Sequence, residues 1–278
     1  MKETIPTIDV NTTDIPRFDE TEGLSFKFKG RKYLSWLYRA AFVLVVLNLI
    51  AIASKFYTDH PNAWGIIPQF ELDNERNIPT YFSSFILLLS SALLFVVSVL
   101  KQRQFSRYTW HWRLLAIVFL YMSVDESAGV HEMLIYPLRD NFQFGGIFYF
   151  SWVIVGAVLV LGLGLYYLRF LLALEPPLKM GLLLAGALYV GGALGVELLG
   201  GYYADTYGLD NFTYGLITTA EETLEILGVL TLLNVLYNYL ERQLSSVRLN
   251  LRPTAAAADF SREPTPKLHV SRQLEKLN

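Results

Sequence analysis

The chain has 278 residues, of which 53% are hydrophobic and only 17% are charged, and its formal net charge is −2. Soluble globular domains carry about 25% charged residues, so this composition indicates a polytopic membrane protein and excludes a disordered chain. The absence of cysteine excludes a disulfide scaffold, a thiolate metal site and a cysteine nucleophile. The small negative charge gives no indication of nucleic-acid binding.

Six segments are long and apolar enough to cross about 30 Å of hydrocarbon as helices, which takes about 20 residues each. In chain order they are residues 33–56, 81–100, 113–133, 147–171, 180–200 and 216–240. The predicted fold is therefore an all-α membrane bundle of six transmembrane helices, with the membrane domain at residues 33–242. Residues 1–32 are predicted to form a polar cytoplasmic tail, and residues 243–278 a largely disordered cytoplasmic tail.

Lysine and arginine are concentrated on one side of the predicted bundle. Four of these residues lie within 27–32, ahead of the first helix, and four more lie within 101–113, between the second and third helices. The connection between the fifth and sixth helices, at 201–215, contains none. Because cytoplasmic flanks collect positive charge, both termini are predicted to be cytoplasmic.

Ionisable residues interrupt the third, fifth and sixth predicted helices. The uninterrupted apolar run in the third helix, residues 114–124, covers only about 16 Å, so this helix is expected to continue through its acidic residues. Similar reasoning carries the acidic start of the sixth helix into the membrane. The candidate site therefore comprises seven carboxylates and one histidine in the extracytoplasmic half of the bundle: Asp125, Glu126, His131, Glu132, Glu197, Glu221, Glu222 and Glu225.

Helical geometry predicts which face of each helix these side chains occupy. Asp125 and Glu132 are expected to lie two turns apart on one face of the third helix, with Gly129 between them as a place for a bend. The three glutamates at the start of the sixth helix are expected to lie within an arc of about 100°. Because one helix cannot aim all of its ionisable groups at one point, some of them are expected to orient the others.

An ionisable group at the bilayer centre costs about 2.5–3.5 kcal/mol, so these side chains are expected to face each other, water, a metal or protons. Carboxylates and histidine from facing helices form di-iron and di-manganese sites in helical bundles. The leading hypothesis is therefore a divalent metal site, with iron or manganese favoured and zinc as the alternative, acting on a lipid-soluble substrate. A proton- or cation-coupled transporter that uses the same carboxylates is the first alternative, and a structural or partner-binding subunit is the second.

The reaction class stays open at this point. The chain has four histidines, too few for the histidine boxes of membrane desaturases, and it has no Glu-x-x-His, GxSxG, HExxH or Walker A motif. An iron or manganese pair would indicate an oxidation, whereas a single zinc or magnesium ion would indicate a hydrolysis with a spare glutamate as base. His60, in the first outer loop, is a candidate second histidine, and that loop is expected either to cover the acidic residues or to lie in the interface.

Small and polar residues inside the predicted helices suggest contacts between helices. Ala187, Gly191 and Gly195 form a ridge at a spacing of four residues, which allows close approach of helix backbones. This ridge is expected to pack within the bundle, with a homo-oligomer seam as the alternative. Asn48 and Asn234 are expected to form interhelical hydrogen bonds.

Overall fold

The computed structural model describes residues 30–58 and 62–250. Most of both predicted tails, and the candidate residue His60, lie outside the described residues. Within the described part, all regular structure is helical. The main helices are α1 (Gly30–Tyr57), α2 (Ile78–Arg103), α3 (Thr109–Ala128), α4 (Ile135–Phe142), α5 (Trp152–Leu172), α6 (Pro176–Val190), α7 (Glu197–Tyr207) and α8 (Phe212–Asn250).

Five helical segments are long and apolar enough to cross a membrane, and α3 followed by the bent α4 segment gives a sixth. One of the five is formed by α6 and α7, which are joined by a π-helical turn at Gly191–Val196. The predicted all-α membrane bundle is therefore confirmed as a fold class, with five membrane-crossing segments, or six where the bent α3–α4 pair counts as one span.

The third segment differs from its prediction, because α3 ends at Ala128. Gly129 adopts a left-handed conformation (φ 56°, ψ 37°) and its N–H donates to the carbonyl oxygen of Asp125 at 2.7 Å, which caps the helix. The chain then bends by 69° toward α4. The expected continuation of the helix through His131 and Glu132 is wrong, and so is the two-turn spacing of Asp125 and Glu132.

The physical reason lies at the other end of α3. This helix begins at Thr109 and has 20 residues, which cover about 30 Å. That length crosses the hydrocarbon without the residues beyond Ala128. Two other helix boundaries differ from the predicted ones. The helix α5 begins at Trp152, after a 3-10 turn, and α8 continues to Asn250, beyond the predicted start of the tail.

The central helix of the bundle is α8, which contacts α1, α2, α6, α7 and the π-helical turn. Two buried apolar clusters surround it. One joins α8 to α1 and α2 around Ile86, Leu230 and Leu233. The other joins the start of α3, the end of α5 and the end of α8 around Trp112 and Phe170. We call the region of this second cluster the aromatic end.

Close packing between α6 and α8 depends on glycines other than those predicted. A Cβ at Gly192 would lie 2.7 Å from the backbone oxygen of Glu221, and a Cβ at Gly228 would lie 2.7 Å from the backbone nitrogen of Tyr189. In contrast, a Cβ at Gly191 or Gly195 would have no neighbour within 4 Å. The expectation that the predicted ridge packs within the bundle is therefore wrong for these two glycines, because the other face of the segment meets α8.

Candidate functional site

His131 is held in place by Asp125 through two hydrogen bonds. The backbone N–H of His131 donates to Asp125 Oδ1 and its ring Nδ1 lies beside Asp125 Oδ2, both at 2.9 Å. This contact forms because the chain turns back after Gly129. With Nδ1–H donated to the carboxylate, Nε2 keeps its lone pair available for another partner. The ring also packs edge-on against Trp152, with the centroids 4.6 Å apart.

A small cavity lies between α2, α3, α6 and α8, and we call it the acid pocket. Its lining residues are Ser83, Ile86, Leu87, Glu126, Tyr189, Glu222, Glu225, Ile226 and Val229. It has about 10 Å³ in which the centre of a water molecule can lie, which is close to the space needed for one water molecule or one ion.

Hydroxyl groups lie beside the carboxylates in the acid pocket. The Tyr189 phenol from α6 and the Ser83 hydroxyl from α2 line it together with Glu225 and Glu126. Glu222 lines the same cavity. The pocket therefore contains three carboxylates from two helices, of which α3 supplies one and α8 supplies two.

Glu197 and Glu221 form a separate pair. Trp152 Nε1–H donates to Glu197 Oε1 at 2.8 Å, and the carboxyl group of Glu221 lies next to that of Glu197. The π-helical turn ends directly before Glu197, and Glu221 is only 9% exposed.

The first loop, which the structure describes at residue 58 and from residue 62 to residue 77, is tied to the bundle through Leu72. The backbone N–H of Leu72 donates to Asn48 Oδ1 at 2.9 Å, and Asn48 Nδ2 donates to Thr219 Oγ1 at 2.7 Å. Asn48 therefore makes the expected interhelical contact. The Asn234 side chain instead accepts a hydrogen bond from Asn238, which lies in the same helix. The predicted interhelical hydrogen bond of Asn234 is therefore not found.

The first loop contributes two acidic residues that the sequence reasoning missed. The Glu75 carboxylate lies against Gly129, where any Cβ would overlap it. Asp73 lies near Glu197 and Glu132. Burial among protein atoms raises the pKa of Asp73 to about 6, and the carboxylates of Glu197, Glu132 and Glu71 add to this effect while Lys55 opposes it. The surface of the Asp73 side chain nevertheless remains accessible.

Comparison with known proteins places the chain in a family. Residues 37–238, more than half of the chain, match the family model described as "Domain of unknown function (DUF8692)". The chain belongs to the DUF8692 family. No curated protein and no solved structure matches it. The DUF8692 match runs from α1 to α8 and includes every residue that lines the acid pocket.

The predicted site residues of this DUF8692 chain thus divide among different surroundings. Glu126, Glu222 and Glu225 share the acid pocket, Glu197 pairs with Glu221, and Asp125 holds His131. The side chain of the remaining predicted residue, Glu132, is exposed after the break in α3. Among the described residues, no three histidine, aspartate or glutamate side chains form a ready-made set of metal ligands.

Proposed function

We propose that this DUF8692 protein binds a divalent metal ion at the acid pocket, with the three pocket glutamates as ligands and with His131, which lies near Glu126 and Glu225 but outside the pocket lining, as a fourth. The observation that carries this proposal is the pair formed by Asp125 and His131. A metal-binding histidine nearly always donates its other ring N–H to a carboxylate, a carbonyl or water, which fixes the ring and raises its basicity. In this proposal Asp125 positions His131 and does not bind the metal.

The charges in the pocket support the same proposal. Glu126, Glu222 and Glu225 lie beside apolar walls, where unpaired carboxylates are costly. A divalent cation would supply the missing positive charge. An oxygen-rich set with one imidazole suits iron, manganese or zinc, and the excess of carboxylates favours iron or manganese.

The apolar part of the pocket wall suggests the class of substrate. Ile86, Leu87, Ile226 and Val229 also line the pocket, and the membrane around the bundle would deliver a lipid-soluble substrate to its edge. The enzyme would then be a metal-dependent oxidoreductase or hydrolase. The distribution of lysine and arginine supports an orientation with both termini cytoplasmic and the acid pocket toward the extracytoplasmic side. Cysteines introduced singly at Arg139 and Asp210 should therefore react with an impermeant reagent added outside the cell.

Elemental analysis tests the metal proposal directly. The full chain, purified in mild detergent without chelator, should contain iron, manganese or zinc in near-stoichiometric amount. Glu225→Gln should remove that metal while the protein stays folded. Glu175→Gln is the matched control, because Glu175 precedes α6 at the aromatic end without a side-chain capping bond and should leave the metal in place. Equal metal content in the two variants, or no metal in the unaltered chain, would contradict the proposal.

The Glu197–Glu221 pair favours a second candidate function, a proton- or cation-coupled transporter. Two adjacent carboxyl groups inside the bundle would share one proton, which a proton-coupled carrier can exchange. This candidate expects Glu197→Gln to abolish an ion-dependent flux in proteoliposomes prepared without metal. A structural or partner-binding subunit, the remaining alternative, expects neutral substitutions to retain function and to raise stability, since buried charge is costly.

A further inference from the structure

We infer that the connection between α2 and α3 binds the headgroup of an anionic phospholipid, with Arg103 and Arg107 on the phosphate and the Phe105 ring in the lipid beside it. This connection lies next to the aromatic end, and its role does not depend on the proposed metal site. Three observations support the inference: the depth of four cations in the membrane, the neutral groups that surround them, and the backbone conformation of Phe105.

The connection is too short to leave the membrane surface. Helix α2 ends at Arg103 and α3 begins at Thr109, so only the residues between these two positions join the two helices. Lys101, Arg107 and Arg113 lie within about one helical turn, or about 5.4 Å, of these helix ends. The polar layer on each side of the hydrocarbon is about 5–8 Å thick. The four cations therefore lie at the depth of the lipid headgroups.

No carboxylate within the described part of the chain neutralises these cations. Residues 101–113 contain neither aspartate nor glutamate, and the described salt bridges involve other residues. Three of the four cations donate hydrogen bonds to neutral oxygen atoms: Lys101 to Gln104 at 3.0 Å, Arg113 to Gln102, and Arg107 to Tyr108. The fourth, Arg103, is exposed. Clusters of four or more basic residues beside a membrane helix are typical of sites for anionic lipids.

Phe105 occupies a backbone position that favours glycine. The Phe105 N–H donates to the backbone oxygen of Gln102, and the Ser106 N–H donates to that of Lys101, both at 3.0 Å. These two bonds form the Schellman motif, whose left-handed residue is usually glycine. Phe105 nevertheless adopts φ 52°, which is uncommon for a bulky residue. Its side chain is 96% exposed, so packing within the described part of the chain does not account for it, whereas lipid at this depth accepts an apolar ring.

Hydrogen bonds to other helices hold the connection in place. The Gln104 Nε2–H donates to Gln243 Oε1 in α8 at 3.1 Å, and the Tyr108 hydroxyl donates to the backbone oxygen of Arg169 in α5 at 3.4 Å. Because the backbone is fixed before a lipid binds, less conformational freedom is lost on binding. Arg103 and Arg107 flank the ring-bearing residue at two positions on either side, and the planar guanidinium group matches the geometry of a phosphate.

Native mass spectrometry with two lipids tests the inference. The full chain in mild detergent is incubated with equal amounts of phosphatidylglycerol and phosphatidylcholine that have the same acyl chains, and the bound molecules are counted. The unaltered chain should prefer phosphatidylglycerol by at least about tenfold. Arg103→Gln and Arg107→Gln should each lower this preference by about fivefold, the typical effect of one cation at an anionic membrane surface. Arg139→Gln is the matched control, because Arg139 lies in α4 with its guanidinium 4.5 Å from the Tyr149 ring, and it should leave the preference unchanged.

Phe105→Gly separates lipid binding from folding. Glycine adopts the left-handed conformation without steric cost, so the melting temperature in detergent should not fall, whereas the amount of bound phosphatidylglycerol should fall at least about twofold. An unchanged amount would overturn the role of Phe105.

Equal binding of the two lipids by the unaltered chain would overturn the inference, as would equal preferences in Arg103→Gln, Arg107→Gln and Arg139→Gln. Excess inorganic phosphate, at constant ionic strength, should leave the lipid bound, and its displacement would instead indicate a site for soluble phosphate. Protein treated with chelator should show the same lipid preference, so a failure of the proposed metal site would not change this result.

Discussion

The two ends of this bundle are built on different physical principles. At the aromatic end, Trp112 and Phe170 are at most 1% exposed, and the ring of His111 stacks against the rings of Tyr166 and Phe170. The end that contains the acid pocket instead has a left-handed residue at Gly129, a 69° bend and a π-helical turn. One end consists of regular helices with apolar contacts, and the other of interrupted helices with polar contacts.

This difference indicates which end we expect to determine stability and which end we expect to carry the proposed function. Burial of apolar area stabilises the aromatic end, whereas the interruptions at the other end aim His131 and Glu197 at their neighbours. Irregular turns and π-helical segments are frequent at functional sites. We therefore expect substitutions at the aromatic end to change mainly the free energy of unfolding, and substitutions at the acid pocket to change mainly the binding of metal.

The largest effect on stability should come from the aromatic end. Phe170→Ala removes a side chain that is 0% exposed and should lower the free energy of unfolding by about 3–5 kcal/mol. Thermal unfolding in detergent, followed by circular dichroism, measures this change. Leu165→Ala is the control on the same helix, since Leu165 is 75% exposed. Similar melting temperatures for the two variants would contradict the proposed role of this end.

A smaller loss of stability should come from the π-helical turn. In Gly192→Ala, the new Cβ meets the backbone oxygen of Glu221 at 2.7 Å, so the two helices must separate, at a cost of about 1–3 kcal/mol. Gly191→Ala is a control one residue away, because nothing lies within 4 Å of that position. Metal content and melting temperature should both fall in Gly192→Ala and stay unchanged in Gly191→Ala. Equal values in the two variants would show that the close contact between Gly192 and the backbone of Glu221 is unimportant.

Asp125→Asn should show whether the orientation of His131 affects metal binding without affecting folding. The asparagine amide can still accept the backbone N–H of His131, but it no longer presents a carboxylate to the ring. We expect the metal affinity to fall by about 10–100-fold with a smaller change in melting temperature than in Gly192→Ala. Isothermal titration with Mn²⁺ measures the affinity. Asp140→Asn, on the exposed surface of α4, should bind as the unaltered chain does, and an unchanged affinity in Asp125→Asn would remove the main support for the metal site.

The smallest effect concerns Asp73 and pH. Its pKa is raised from 3.8 to about 6 in the folded protein, so between these values the folded state holds a proton that the unfolded state has released. Stability should therefore fall as the pH rises from about 4 to about 6, and this contribution should level off above that range. Melting temperatures of Asp73→Asn across this range should show a flatter profile than the unaltered chain, whereas Asp140→Asn should retain the original slope.

Hydrophobic length predicted the six membrane-crossing segments because each of them must cover the same thickness of hydrocarbon. The same criterion placed the end of α3 wrongly, since aromatic residues before Arg113 already extend this helix at its start. Acidic residues within apolar helices stood out, so the three pocket glutamates could be predicted. Tyr189 could not be predicted, because a tyrosine in an apolar helix is common. Its place in the pocket follows from the close contact between α6 and α8 at Gly228, which the sequence does not reveal. Asp73 and Glu75 lie in a loop, where no periodicity indicates which way a side chain points.

The contact between Asn48 and Thr219 has a consequence for how the protein is made. Asn48 lies in α1, the first of the described helices to be synthesised, whereas Thr219 lies in α8, the last of them. The first loop, which is anchored through Asn48 and Leu72, therefore cannot reach its final position until nearly the whole chain has been synthesised. Because α8 also supplies Glu222 and Glu225, a nascent chain that stops before α8 has no acid pocket.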